Sequence, residues 1–291
     1  MLHVNRCGQG EPLVLIHGLG AHWRLWEPVL PLLEPHHDVW VPDVPGCGQS
    51  LPLVNDAPEV RWLANALETA MDEVGFSTVH IVGHSLGGVL ALELGRRGRA
   101  KTVCAISPPG KGHPWEDRYA IAVVRLLRAG ARALYPALPM LARPAVLRTL
   151  MMWPVASRPW RMDAEWTADL ARTYADAKAF NDILAADRTH VTDEFDQITC
   201  PVVIAWGSGD RLLFPRQGPR YARAIPNARL VRLLGVGHAC MGDDPLAVVD
   251  LILRTTRLGE REPRLSPSGC VADAEASTAG MDETGEEAVA S

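Results

Sequence analysis

Residues 77–97, STVHIVGHSLGGVLALELGRR, decide the predicted fold. The first seven are rich in β-branched side chains, which is typical of a buried strand. The last eleven carry apolar residues at helical spacing and predict a helix. Between them, Gly83-His84-Ser85-Leu86-Gly87 has the Gly-x-Ser-x-Gly pattern of a nucleophile elbow, a strained strand-to-helix turn in which glycines leave room for the backbone. A turn in which Ser85 only caps the helix would use the same residues.

Short apolar runs alternate with helical patterns through most of the chain. The runs predict strands at 12–16, 37–41, 77–83, 101–107, 201–206 and 229–233, and helical spacing predicts helices at 23–33, 59–74, 87–97, 215–224 and 244–257. This alternation indicates an α/β fold with a mostly parallel central sheet and helices on both faces. Functional residues in such a sheet collect at the carboxyl ends of the strands. His17-Gly18-Leu19-Gly20 and Ser85 both lie at such ends.

Residues 111–197 interrupt the alternation and are predicted to form a helical insertion between two core segments, 1–110 and 198–258. The charge of the insertion is polarised: residues 111–161 contain nine basic and two acidic residues, and residues 162–197 contain three basic and nine acidic ones. We favour the interpretation that these two halves pair and neutralise each other. The alternative is a basic face near a pocket mouth that attracts anionic substrates or allows peripheral contact with a membrane.

Composition limits the classes of function. The 291 residues are 47% hydrophobic and 22% charged, as in ordinary soluble proteins, and the net charge of -5 argues against a nucleic-acid partner. Residues 259–291 contain eight acidic residues and few large apolar ones, so we expect a disordered acidic tail. The sequence lacks a signal-peptide pattern and an apolar run of membrane-spanning length, which predicts a cytoplasmic protein without a transmembrane segment. The scattered cysteines lack metal-ligand spacing, so no metal or other cofactor is expected.

Three residues could form a catalytic group. A serine is a weak nucleophile unless a base takes its proton, and the base needs a third group to fix its tautomer. Ser85, Asp210 and His238 follow predicted strands in that chain order, which suits this chemistry. Asp243 and Asp244 are alternative acids close to His238, but their position at the start of the last helix predicts capping.

Several further residues near these positions have structural interpretations. His17 and His84 are expected to pack and hydrogen-bond near the site, and Asp43 to anchor a turn. Tryptophans 23, 115, 153, 160 and 166 could line a pocket, but we favour packing within the core or the insertion for each of them.

The sequence resembles the α/β-hydrolase superfamily, in its lid-bearing esterase, lipase and C–C hydrolase branch. The resemblance covers about residues 10–110 and 198–257 and rests on five motifs in order: HGLG (17–20), PDVPGCGQS (42–50), GHSLGG (83–88), WGSGD (206–210) and GVGH (235–238). It implies that Ser85 is the nucleophile, that His238 is the general base and that Asp210 orients it. It also implies an oxyanion hole of the Leu19 and Leu86 backbone amides, and that the helical insertion is a lid.

The resemblance implies hydrolysis of a small-molecule ester or acyl substrate through an acyl-enzyme, without a cofactor. Haloalkane dehalogenases and epoxide hydrolases of the same fold resemble the chain but carry aspartate at the elbow, so Ser85 argues against both. One alternative is C–C bond hydrolysis of a diketone-like metabolite, which uses the same triad. A second is a non-catalytic binding protein on a hydrolase scaffold, which would be expected to lack a triad residue.

Overall fold

A central sheet of seven strands organises the computed structural model, which describes residues 2–51, 59–185 and 194–260. The strands are β1 (Val4–Cys7), β2 (Glu11–Ile16), β3 (His37–Pro42), β4 (Val79–His84), β5 (Ala100–Ile106), β6 (Val202–Gly207) and β7 (Ala228–Leu233). Their order across the sheet is β1-β3-β2-β4-β5-β6-β7. Only the β1–β3 pair is antiparallel. The prediction of a mostly parallel sheet is confirmed.

The inner strands are apolar because both faces of the sheet are covered. Successive residues alternate between two buried clusters: Ile81, Val103 and Ile204 belong to one, and Val82, Cys104 and Val203 to the other. This period of two places a continuous apolar run against helices on both sides. The carboxyl ends of β2 and β4 lie next to each other, with Ile16 paired to Gly83.

Helices from both core segments cover these faces. They are α1 (Leu30–Leu33), α2 (Val60–Glu73) and α3 (Leu86–Arg96) before the insertion, and α9 (Gly218–Ala224), α10 (Cys240–Asp243) and α11 (Pro245–Glu260) after it. The predicted helix at 23–33 is wrong: a 3-10 turn at Trp23–Trp26 and the short α1 replace it. Prolines at 28 and 31 explain the break, because neither can donate the backbone hydrogen bond that a continuous helix needs.

The edge strand β1 was not predicted. Its sequence, VNRC, is too short and too polar to give a strand signal. It pairs with β3, which lies more than thirty positions further along the chain, from Val4 against Pro42 to Cys7 against Val39. A non-local partner therefore decides its conformation. The tail expected to be disordered falls outside the described residues except for 259 and 260, which end α11.

The insertion between β5 and β6 is helical, as predicted. Its described helices are α4 (Pro114–Ala133), α5 (Leu138–Ala142), α6 (Ala145–Met152), α7 (Ala164–Asp176) and α8 (Phe180–Ala185). Helices α4 and α5 pack on α7, and α5 packs on α6. The buried Glu116 carboxylate attaches the start of α4 to the core segment, where it accepts hydrogen bonds from Arg216 and Arg220. None of the described helices has the length and apolar character needed to cross a bilayer.

The basic and acidic halves of the insertion were expected to pair with each other. This prediction is wrong for most of the described charged residues whose ion-pair partners are known. Asp169 binds His22 and Arg24 of the core, at 2.8 and 3.7 Å. Two further pairs also lead to the core, Glu194 to Arg96 at 3.0 Å and Arg158 to Asp244 at 3.2 Å. Arginines 125, 132 and 143 form no ion pair with an acidic side chain in the described part of the chain. Their positive charge is therefore not neutralised by the acidic side chains of the insertion that the structure describes.

Candidate active site

Ser85 lies in a strained turn between β4 and α3. Its φ of 55° and ψ of -119° lie outside the regions that non-glycine residues favour. A Cβ atom at Gly83 would overlap the carbonyl of Gly87, and one at Gly87 would overlap the carbonyl of Ile16. The two glycines are therefore needed for the turn to form. The Ser85 side chain does not cap α3, so the alternative interpretation of the motif as a simple cap is wrong.

Asp210 and His238 meet beyond the ends of β6 and β7. Nδ1 of His238 donates to Oδ2 of Asp210 over 2.8 Å. The other carboxylate oxygen, Oδ1, accepts the amides of Leu212 and Leu213 at 3.0 and 2.9 Å. Both side chains are buried. This arrangement fixes the imidazole ring and assigns its proton to Nδ1, which leaves Nε2 able to accept a proton.

The neighbouring acids have other roles. Asp243 was expected to cap the last helix, but it does not. Its carboxylate instead accepts the amides of Ser157, Arg158 and Gly237. It therefore ties the insertion to the loop that precedes His238. Asp244 does cap α11, through a 3.1 Å bond from the amide of Ala247.

His84 brings the elbow close to the His238 loop. Its Nε2 donates to the carbonyl oxygen of His238 over 2.8 Å, and the centroids of the two rings are 4.6 Å apart. Burial, with the adjacent His238, holds the pKa of His84 well below its ordinary value, so the ring stays neutral. Ser85, next in the chain, lines the same cavity as His238.

The loop of residues 17–20 lies against the elbow. The His17 ring fixes this loop, because Nδ1 donates to the Gly18 carbonyl at 2.8 Å and Nε2 accepts the Val44 amide at 2.9 Å. A Cβ atom at Gly18 would lie only 3.1 Å from Cβ of Ser85. Leu19 and Leu86 both line the cavity beside Ser85. Leu86 is the first residue of α3, so its amide has no acceptor within the helix.

Asp43 anchors the neighbouring turn, as predicted. Its buried carboxylate accepts the amides of Trp23 and Gln49 at 2.8 and 2.9 Å and faces Nδ1 of His3 at 2.9 Å. These bonds hold the chain that follows the 17–20 loop.

The buried His17 should make stability depend on pH. Burial lowers its pKa to about 4, from about 6.5 in an exposed histidine. Between these values the unfolded chain binds a proton at this residue and the folded protein does not, so the free energy of unfolding falls on acidification. We expect His17→Gln, which keeps an acceptor for the Val44 amide, to remove about 2 kcal/mol of the loss between about pH 7 and pH 5.

Urea unfolding at both pH values measures this difference. The matched control is His36→Gln, since His36 is exposed, and its pH dependence should equal that of the unsubstituted protein. An unchanged pH dependence in His17→Gln would contradict the assignment of a neutral, buried ring.

One cavity of about 470 Å³ leads to Ser85 and His238. Its wall is mostly apolar and comes largely from the insertion, with α4 contributing Ile121, Val124, Leu127 and Gly130, and α6 contributing Leu150 and Met151. None of the five candidate tryptophans lines it. These lining residues were not predicted from the sequence, although Leu126, Gly130 and Leu134 are spaced to lie on one face of a helix, which was a usable signal. No cluster of metal-ligating side chains occurs within the described ranges.

Comparison with known proteins places this chain in a family. A family model described as "Alpha/beta hydrolase family" matches residues 13–251, most of the chain. The chain belongs to the alpha/beta hydrolase family. Hydrolase activity is thereby supported, and so is the fold expected from the sequence.

The relatives of this alpha/beta hydrolase differ in substrate. A protein named "Putative carbamate hydrolase RutD" from Pseudomonas savastanoi pv. phaseolicola is 30% identical over 258 residues, which cover 84% of this chain and 95% of the relative. Among solved structures, a membrane phospholipase A has a TM-score of 0.71 at 20% identity, covering 90% of this chain and 84% of its own. A meta-cleavage product hydrolase from Pseudomonas fluorescens IP01 has a TM-score of 0.66 at 18% identity, covering 88% and 94%. At these identities the structural likeness concerns the fold alone.

Proposed function

We propose that this alpha/beta hydrolase is a serine esterase that cleaves carboxylic esters with an apolar acyl or alcohol group. The observation that carries the proposal is that His238, held by its hydrogen bond to Asp210, lines the same apolar cavity as the strained Ser85. The insertion acts as a lid that supplies most of the substrate-binding wall.

The reaction proceeds in two acyl-transfer steps. His238 Nε2 takes the proton of the Ser85 hydroxyl as Oγ attacks the ester carbonyl carbon. The amides of Leu19 and Leu86 donate to the oxyanion, where losing one donor would cost about 3 kcal/mol of transition-state stabilisation. The bond to the alcohol oxygen then breaks, and His238 returns its proton to that oxygen. A water molecule then attacks the acyl carbon while His238 takes one of its protons, the bond to Ser85 Oγ breaks, and His238 returns the proton to Oγ, which releases the acid and regenerates Ser85.

Carbamate hydrolysis is the second candidate, and the likeness to RutD favours it. A carbamate without an alkyl substituent is small and polar. In a cavity with this lining it would leave most of the apolar wall without a partner, whereas an alkyl or acyl chain would cover that wall and gain about 0.8 kcal/mol per buried methylene.

A substrate panel separates these functions. We expect kcat/KM for p-nitrophenyl esters to rise with acyl length from acetate upward, and to exceed that for an alkyl carbamate and for a ring-cleavage diketone. The ester proposal would be contradicted if kcat/KM fell with acyl length, or if kcat/KM were higher for the carbamate than for the esters. Turnover of none of these would favour the binding-protein alternative.

Gly130 offers a test of where the acyl chain lies. It lines the cavity from the last turn of α4, and a Cβ atom there meets nothing within 4 Å. Gly130→Leu should occupy part of the cavity and lower kcat/KM for long-chain esters about tenfold, while leaving acetate esters within about twofold. Gly130→Ala is the matched control, which should keep chain-length preference and stabilise α4 by up to about 1 kcal/mol. Equal effects of Gly130→Leu on all chain lengths would contradict this placement.

A further inference from the structure

Several large apolar side chains on the outer surface of the insertion are exposed to solvent. Seven such residues fall between positions 126 and 153: Leu126, Leu134, Met140, Val146, Leu147, Leu150 and Trp153. We refer to these seven as the apolar rim. Single exposed leucines are common on protein surfaces, but a cluster of this kind marks an interaction surface.

Three residues of the apolar rim lie at the mouth of the cavity. Leu126, Leu134 and Leu150 line the cavity and are also 73%, 47% and 70% exposed. These residues must therefore stand where the cavity opens to solvent. On α6, Val146 lies one turn before Leu150 and Trp153 nearly one turn after it, so the same helix face continues outward from the opening.

The chain segment that carries the apolar rim has charges of one sign, although Asp176 of α7 meets it through a 2.6 Å hydrogen bond from the Tyr135 hydroxyl. From Arg118 to Met162 the sequence contains eight arginines and no aspartate or glutamate. Three of these arginines, at 125, 132 and 143, are exposed and form no ion pair with an acidic side chain in the residues that the structure describes. The whole chain has a net charge of -5, so any attraction to an anion must come from this local surface rather than from the protein as a whole.

The combination of the apolar rim with exposed arginines favours one kind of partner. A second copy placed on the same face would bring its own arginines against these, and like charges repel. Exposed leucines and a tryptophan interleaved with arginines match an anionic bilayer, whose headgroups take the cations and whose acyl boundary takes the apolar side chains.

We propose that the apolar rim and arginines 125, 132 and 143 bind the surface of an anionic lipid bilayer, with the cavity mouth facing the lipid. An apolar substrate can then pass from the bilayer into the cavity without crossing water. This delivery rests on the proposed esterase function, whereas binding to the bilayer does not.

Vesicle flotation of the full chain tests the binding. The probes are vesicles of phosphatidylcholine alone and of equal parts phosphatidylcholine and phosphatidylglycerol, each at low and at high salt. We expect binding to the mixed vesicles at low salt and weaker binding at high salt. Each arginine near an anionic surface increases partitioning onto it about fivefold. R125Q/R132Q/R143Q should therefore reduce partitioning by about 100-fold. M140Q/V146Q should reduce it at least tenfold, to roughly the extent expected from removing two buried apolar side chains.

Matched variants remove the same groups elsewhere. R229Q/R232Q/R257Q removes three exposed arginines outside the insertion, and L234Q/L246Q removes two exposed leucines; both should partition within about twofold of the unsubstituted protein. Ser85→Ala should bind vesicles normally, so a failed esterase proposal leaves this result unaffected. No binding to mixed vesicles, or an equal loss in the control variants, would overturn the proposal. So would a dimer that M140Q/V146Q dissociates, because a second copy would then be the occupant.

Discussion

Replacing Ser85 with alanine should lower kcat for an apolar p-nitrophenyl ester by about 10⁴-fold or more, with little change in KM. The reason is that His238 and Asp210 can activate only a hydroxyl that lies within their reach, and the substitution removes it while leaving the cavity wall intact. The oxyanion donors remain, so some rate above that in water should persist. Initial rates over a range of ester concentrations measure both parameters.

A second buried serine provides the control. Ser107, at the end of β5, also has a positive φ, of 47°, and its hydroxyl has no hydrogen-bond partner among the described residues. Ser107→Ala should leave kcat within about twofold, because this hydroxyl does not line the cavity. Thermal unfolding of both variants checks that each is folded. Retained turnover in folded Ser85→Ala would eliminate Ser85 as the nucleophile.

Asp210→Asn should have an effect of similar size, a fall in kcat of about 10⁴-fold. The asparagine oxygen can still accept the amides of Leu212 and Leu213, so the loop should keep its conformation. Its amide nitrogen would then face the imidazole and donate to Nδ1, which would place the ring proton on Nε2. A ring protonated at Nε2 cannot take the proton of Ser85. The measurement is kcat against pH, together with the melting temperature.

Asp243→Asn tests the alternative acid. Asp243 binds three backbone amides that join the insertion to the His238 loop, so we expect a loss of stability of about 1–3 kcal/mol with kcat reduced less than tenfold. The reverse pattern, a large loss of kcat in Asp243→Asn and a small one in Asp210→Asn, would assign the orienting role to Asp243.

Local signals explain what could be predicted from the sequence. The elbow depends on two glycines and on the strand and helix beside them, all within about twenty residues, and the same holds for the apolar strands of the sheet interior. The 17–20 loop and the turn at Asp43 were identified because turn residues follow directly after strands, whereas the oxyanion role proposed for Leu19 and Leu86 came from the family resemblance. The three proposed catalytic residues are far apart in the chain, but each follows its own strand, and the parallel topology places such ends at one edge.

The features that were missed depend on partners distant in sequence. Strand β1 is decided by its pairing with β3, and the role of Asp243 by amides at 157 and 158. The predicted pairing of the basic and acidic halves of the insertion was wrong because composition does not show which face of a helix packs against which neighbour. Asp169 was free to pair with Arg24 of the core instead of with the basic half.

The most direct test of the account is covalent labelling by a fluorophosphonate, which reacts with a serine only when a base activates it. We predict a single adduct on the full chain, located by peptide mass spectrometry on Ser85, absent in Ser85→Ala and formed far more slowly in Asp210→Asn. No adduct on the folded protein, or an adduct on a different residue, would contradict the claim that Asp210 and His238 activate Ser85.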